Sequence, residues 1–299
     1  MKQINLQKII TESVNPKSID IDLMSSLNIA RTINQEDNKI TKAIVTQLKN
    51  IAKAIDAIVL TFIKGGRLVY IGAGTSGRLG ILDASEIPPT YGAPSNLVIG
   101  LIAGGKKAIL NAVEGAEDDQ QAAINDLKKI KFSSNDTLVG ISASGRTPYV
   151  VRGLQFAKQL KARTVAISTN KNSDIGKLAQ IKIEVITGPE VITGSTRMKS
   201  GTAQKMVLNM LSTGAMIKMG KVYRNLMVDV LPKNAKLVSR VHNIVKTLTN
   251  ANETIINRTL QITKNRVKEA VVMIKKHVDY PTAVKLLKQN HGILRKVID

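Results

Sequence analysis

Residues 71–94 read IGAGTSGRLGILDASEIPPTYGAP, a glycine-rich turn leading into a stretch that carries carboxylates, two prolines and a tyrosine. Gly72, Gly74 and Gly77 permit tight backbone geometry, and Thr75 and Ser76 add hydroxyls where a helix N-terminus favours an anion. A second hydroxyl-rich turn, Ser142-Ala-Ser144-Gly145-Arg-Thr147, has the same character, and a third, Thr193-Gly-Ser195-Thr196-Arg197, precedes a long apolar-periodic stretch. Two such loops at neighbouring strand ends can hold one phosphate from both sides, whereas any one of them alone reads as ordinary helix capping. Carboxylates supply the second half of the chemistry. Glu86 closes Asp83-Ala-Ser-Glu86, and Glu114 and Glu117 flank Gly115 in VEGAED. Two carboxylates in a partly desolvated site can divide acid and base duties between them.

The elements that must position these groups follow from periodicity. Apolar runs at 68–71, 97–102, 138–142, 164–168 and 181–186 alternate with helical patterns over roughly 42–64, 106–113, 119–129, 148–160 and 197–219. That alternation predicts an α/β fold, a parallel sheet with helices on both faces, in which ligands gather at the carboxyl ends of the strands. Pro148 suits a first helical turn with Thr147 as its cap, and Pro88-Pro89 is expected to end the helix that carries Glu86. Beyond residue 231 the pattern becomes lysine-rich and helical, interrupted near 250–252 and 280–281. The expected division is an N-terminal helical arm over 1–41, an α/β domain over 42–230 and a small helical module over 231–299.

Composition narrows the function. The chain has 299 residues, a formal net charge of +22, no cysteine, no tryptophan, three phenylalanines and three dispersed histidines. Disulfides and thiolate chemistry are excluded, and no metal site or cofactor is expected. The positive charge is spread over predicted helices with few aromatics for stacking on bases, so nucleic acid is not an expected partner. The residues at the start lack a signal-peptide core and no window nears the ~18 apolar residues of a membrane span, so a cytoplasmic protein with no membrane partner is expected. Gly72-Ala-Gly74-Thr-Ser-Gly77 matches the dinucleotide fingerprint, but the second strand leads to Ala103-Gly-Gly-Lys-Lys107 where that reading wants an acidic residue. The stretch 100–107 also lacks the Ser or Thr that a nucleotide P-loop places on magnesium.

IGAGTSGRLGILDASEIPPTYG, GLIAGG, AVEGAEDD, SASGRTPYV, VITGSTRMKSGTAQKMVLNMLSTG and NLMVDV together resemble the N-acetylmuramic acid 6-phosphate etherases, bacterial enzymes of the sugar isomerase (SIS) fold. The resemblance spans nearly the whole chain. It implies that the α/β domain over 42–230 is a three-layer, sugar-phosphate-binding catalytic SIS domain, with a C-terminal three-helix, UBA-like module, and a homodimer. It also implies a reaction in cell-wall amino-sugar recycling: cleavage of the D-lactyl ether of N-acetylmuramic acid 6-phosphate to N-acetylglucosamine 6-phosphate and D-lactate, a carbon–oxygen lyase chemistry. By motif position, Glu86 matches the proton donor to the departing lactate and Glu117 the base that takes the C2 proton, with Glu114 the lesser candidate. Gly74, Thr75, Ser76, Ser142, Ser144, Gly145 and Thr147 are the expected phosphate ligands, with Ser195 and Thr196 as weaker ones. The competing readings are a non-catalytic sugar-phosphate sensor, which shares the hydroxyl loops but leaves the two glutamates without a task, and a phosphosugar isomerase, which an assay for free D-lactate separates.

Overall fold

The computed structural model describes residues 10–230, 232 and 235–299. The first nine residues of the expected N-terminal arm, and Leu231 where the C-terminal module is expected to begin, lie outside the described residues. The chain divides into two compact units, one reaching to Ser85 and resuming over Asn96–Ser212, the other made of Glu86–Ser95 and Thr213–Asp299.

The first unit opens with single 3-10 turns at Ile10–Glu12, Pro16–Ser18 and Ile21–Leu23, then α1 (Ser26–Asp37), α2 (Lys39–Val45) and α3 (Leu48–Ile63). The sheet elements follow as β1 (Leu68–Gly72), α4 (Gly74–Tyr91), β2 (Val98–Ile102), α5 (Lys107–Leu110), α6 (Gln120–Lys129), β3 (Thr137–Ile141), α7 (Pro148–Gln159), β4 (Arg163–Ser168), α8 (Asp174–Leu178), β5 (Ile181–Glu184) and α9 (Lys199–Lys218). All five strands are parallel, in the order β2-β1-β3-β4-β5. The chain leaves β1 for β2 on one side and then crosses to β3 on the other, so the carboxyl ends of β1 and β3 flank the switch point where open sheets bind ligands. Gly72 pairs with Ile141, which brings the loops after β1 and β3 out at one level.

Side-chain alternation makes this sheet the middle of three layers. Val69 and Ile71 of β1 and Leu138 of β3 join a cluster with Leu127 of α6 and Tyr149, Val150 and Leu154 of α7. Their neighbours point the other way: Tyr70 bonds Asp83 on α4, and the Thr137 and Thr61 hydroxyls of β3 and α3 meet at 2.6 Å. Every residue of β1 and β3 is buried, as a strand covered on both faces requires. Local signals set the helices: α6 starts at Asp119, whose carboxylate accepts from the Ala122 amide, buries Ala123, Ile124 and Leu127, and ends on Lys128 and Lys129.

Four local expectations are corrected. The helix foreseen over 42–64 begins earlier and breaks at Thr46, whose hydroxyl turns back to the Ala43 carbonyl at 2.7 Å. The helix foreseen over 106–113 is only the short α5, because Arg78 donates to the Ile109 and Asn111 carbonyls and Asn111 is extended. Pro88 and Pro89 do not stop α4. They fall in its last turn, where each removes only the amide that would donate to the residue four before it while its fixed φ is already helical, and Gly92 closes the helix by donating to the Pro88 carbonyl at 3.0 Å. Thr147 does not cap α7, although Pro148 does occupy its first turn; the Thr147 hydroxyl bonds Ser142 instead.

The N-terminal segment is laced to the strand ends. The Ile10 amide donates to Asn170 Oδ1, Asn170 Nδ2 donates to Thr11 Oγ1, the Gly194 amide donates to the Thr11 carbonyl and Ser18 Oγ donates to the Val191 carbonyl.

The second unit holds a short antiparallel pair, β6 (Val222–Tyr223) and β7 (Leu226–Met227), and the helices α10 (Ala235–Thr249), α11 (Glu253–Ile262), α12 (Val267–Lys276), α13 (Tyr280–Gln289) and α14 (Arg295–Ile298). Val241, Val245, Ile256, Val271 and Ala283 form its core. Lys268 is buried beside it and donates to Asp229 and to the Gly292 carbonyl; burial pushes its pKa down although Asp229 opposes this.

Candidate active site

The loop after β3 is a cluster of hydroxyls. Ser142 Oγ lies 2.8 Å from Thr147 Oγ1 and 3.4 Å from Ser144 Oγ, and it accepts from the Gly145 amide at 3.0 Å. Two contacts among three hydroxyls occupy two protons, which leaves one O–H to donate to an anion. Gly145 is in the left-handed region with φ +73°, and a Cβ there would come within 2.3 Å of Ser173 Cβ, so only glycine fits the turn.

The loop after β1 enters α4 directly at Gly74. Thr75 is half-buried, while Ser76 is buried and its hydroxyl donates to Gln204 Oε1 on α9 at 2.9 Å. Gly201, one turn earlier on α9, backs onto Thr75: a Cβ there would sit 3.3 Å from Thr75 Cγ2. Beside this loop is a cavity of about 200 Å³ lined by Ala73, Gly74, Arg78, Ala103, Glu114 and Glu117, among others. The structure therefore gathers the first glycine loop and both glutamates of VEGAED around one hollow. Gly115, between them, has φ +72° and opens on free space. Glu117 itself lies on a single 3-10 turn, Ala116–Asp118, and both glutamates are exposed to solvent. Arg78 holds the segment leading to them, its Nε donating to the Ile109 carbonyl at 2.9 Å and its Nη2 to the Asn111 carbonyl at 3.3 Å.

The two acids of the DASE motif differ sharply in environment. Asp83 is buried and accepts from Tyr70 Oη at 2.9 Å, Asn209 Nδ2 at 2.7 Å and Ser212 Oγ at 3.1 Å, which fixes the roll of α4 against β1 and α9. Burial, with Asp83 beside it, pushes the Tyr70 hydroxyl far up and keeps it a donor. Glu86, three residues on, is exposed and is not among the residues that line the cavity holding Glu117.

The third hydroxyl turn has a different setting. Ser195 and Thr196 are half-buried, but the amides of Lys199 and Ser200 at the start of α9 already donate to the buried Glu190 carboxylate, both at 2.9 Å. A protein carboxylate thus fills the anion position at this helix N-terminus. Below it, the fully buried Lys199 ammonium pairs with Glu36 at 2.6 Å. Burial alone would raise the Glu36 pKa, but bonds from Lys199, Lys39 and Asn15 outweigh it and hold the carboxyl at about 2. Gln204, Arg78, Glu190 and the Glu36–Lys199 pair all escaped the sequence reading. For Gln204 the one available signal was its place three residues after Gly201 in GTAQ, on the helix face that meets the first loop.

Among the described residues no group of three or more His, Asp or Glu side chains is placed to hold a metal ion, and no helix is long and apolar enough to cross a membrane. Hydroxyl-bearing loops at neighbouring strand ends, one of them lining a hollow with two glutamates, are an arrangement that could hold an anion beside acid–base groups.

Comparison with known proteins agrees with this architecture. Residues 50–158 match the model of the glucokinase regulatory protein N-terminal SIS domain, and residues 113–214 match the SIS domain model. A phosphoheptose isomerase from Francisella tularensis superposes with a TM-score of 0.52 at 16% identity, over 65% of this chain and 100% of that one, which shows the shared fold. An N-acetylmuramic acid 6-phosphate etherase from Actinobacillus pleuropneumoniae is 52% identical over 293 residues, 98% of this chain and 96% of the relative. One from Lactobacillus johnsonii is also 52% identical, over 99% of both chains. With half of all positions identical across essentially its full length, the chain belongs to the N-acetylmuramic acid 6-phosphate etherase family.

Proposed function

We propose that this protein cleaves the D-lactyl ether of N-acetylmuramic acid 6-phosphate, giving N-acetylglucosamine 6-phosphate and D-lactate, as a carbon–oxygen lyase. The observation that carries the reading is the single hollow in which the β1 loop meets Glu114 and Glu117. In the ring-opened sugar the C2 hydrogen is α to the C1 aldehyde and the lactyl oxygen is on the β carbon. Glu117 takes the C2 proton, a C2–C3 double bond forms as the C3–O bond breaks, and Glu86 protonates the departing lactate oxygen. Water then adds at C3 and a proton returns to C2, so atoms and charge balance with two carboxylates and no redox step. Thr75, Ser76, Ser142, Ser144 and Thr147 hold the phosphate, with Gly74 and Gly145 shaping the loops; Ser195 and Thr196 are lesser ligands, since Glu190 already occupies the helix end behind them. The working form in this reading is a cytoplasmic homodimer in which Glu86 and Glu117 meet one substrate, whichever chain supplies each.

Turnover in heavy-oxygen water places the label at C3 of the product, and retention of the substrate oxygen there rejects the elimination route. Glu86→Gln and Glu117→Gln each remove most lactate release, by about a hundredfold or more, while sugar-phosphate binding stays near normal. Wild-type rates in either variant reject the role given to that residue. A protein that binds the sugar phosphate tightly but releases no D-lactate is a sensor or an isomerase instead.

A further inference from the structure

Gln204 is 1% exposed, and its Nε2 is buried with no hydrogen-bond partner, while its Oε1 accepts a hydrogen bond from the Ser76 hydroxyl at 2.9 Å. Orphaned buried N–H groups are rare in folded proteins, and under-satisfied carbonyl oxygens are tolerated better. A half-turn about the last side-chain bond exchanges the two amide atoms without moving anything else. Nε2 then donates to Ser76 Oγ, the orphan donor is satisfied, and the Ser76 O–H is released from its internal bond. The backbone beneath Gln204 does not need to move, because the first turn of α9 is fixed by Glu190 on the Lys199 and Ser200 amides.

We infer that Gln204 is a positioning residue for the anion grip: its amide nitrogen donates to Ser76 Oγ, which orients the Ser76 hydroxyl so that its own proton is free for the phosphate. The inference rests on the phosphate-loop reading above and adds a residue that touches no substrate. The second loop needs no such helper, since its three hydroxyls already leave one proton free.

The experiment is a calorimetric titration with N-acetylglucosamine 6-phosphate, run beside steady-state lactate release and thermal unfolding, on wild type, Ser76→Ala, Gln204→Met, Gln204→Glu and the Ser76→Ala/Gln204→Met double variant. Methionine keeps the volume but cannot donate, and an ionised glutamate can only accept. Gln204→Met and Gln204→Glu each weaken binding about ten- to hundredfold, the range for a hydrogen bond to a charged group, with KM rising far more than kcat falls. In the Ser76→Ala background Gln204→Met changes binding by less than about twofold, since its effect passes through the missing hydroxyl. Binding as tight as wild type in both Gln204 variants, an unaltered Ser76→Ala, or an equal loss from Gln204→Met with and without Ser76 overturns the inference; the last outcome marks Gln204 as a packing residue. A wild-type protein that follows this binding pattern but releases no lactate overturns the etherase reading and leaves the role of Gln204 standing, whereas one that binds no sugar phosphate overturns both.

Discussion

Gly145 and Gly115 have nearly the same left-handed backbone, φ +73° and +72°, in opposite surroundings. At Gly115 an added Cβ meets nothing within 4 Å, so Gly115→Ala costs only the backbone strain, about 1–2 kcal/mol. At Gly145 the added Cβ lies 2.3 Å from Ser173 Cβ. Ser173 cannot retreat: its amide donates to Glu184, and its hydroxyl contacts Ser168 and accepts from the Gly176 amide. Overpacking against so fixed a neighbour adds about 1–3 kcal/mol, so Gly145→Ala should cost about 2–5 kcal/mol in total. The strain falls on a turn whose amide and carbonyl bond Ser142 and Ile175, so the hydroxyl cluster shifts with it and sugar-phosphate affinity falls. Urea unfolding at constant m reports the stability loss, and calorimetry reports the affinity. Equal losses in the two alanine variants would refute the claim that contact with Ser173, rather than φ alone, demands glycine at 145.

Glu36→Gln strands the fully buried Lys199 ammonium and should cost about 3–5 kcal/mol, most of it regained in a Glu36→Leu/Lys199→Met double variant; additive losses in the unfolding cycle speak against coupling. Because Glu36 titrates near 2 when folded and near 4.5 when unfolded, its contribution is complete above about pH 4.5 and fades as pH falls toward 2. An acid unfolding curve of Glu36→Gln should therefore show a shallower loss across that window than wild type. Arg78→Met frees the Ile109 and Asn111 carbonyls and lets the segment bearing Glu114 and Glu117 drift, so kcat should fall about ten- to hundredfold with a smaller change in KM, and Arg78→Lys should recover only part of it. Steady-state lactate release checks this, and unchanged kcat in Arg78→Met removes Arg78 from that role.

The five strands and the two hydroxyl-bearing loops were legible because their signals are local: apolar runs of four to six residues, then Gly with Ser or Thr where a helix begins. What joins them was not. Ser76 meets Gln204 across 128 positions and Lys199 meets Glu36 across 163, and pairings at that separation leave no trace in either local pattern. Asp83 and Glu86 show the same limit in miniature, since three residues of one helix separate a buried hub from an exposed acid, and only the packing of Tyr70, Asn209 and Ser212 tells them apart. The proline pair misled because a proline disturbs only the turn before it, and the helix runs on through both to Tyr91.

The lacing of Ile10, Thr11 and Ser18 onto Asn170, Val191 and Gly194 ties the beginning of the chain to residues translated much later. At ~5–20 residues per second, Gly194 leaves the ribosome about ten to forty seconds after Thr11. Throughout that interval the bonds to Asn170, Val191 and Gly194 cannot form, so this part of the sheet domain is closed only after the distant strand ends have been made.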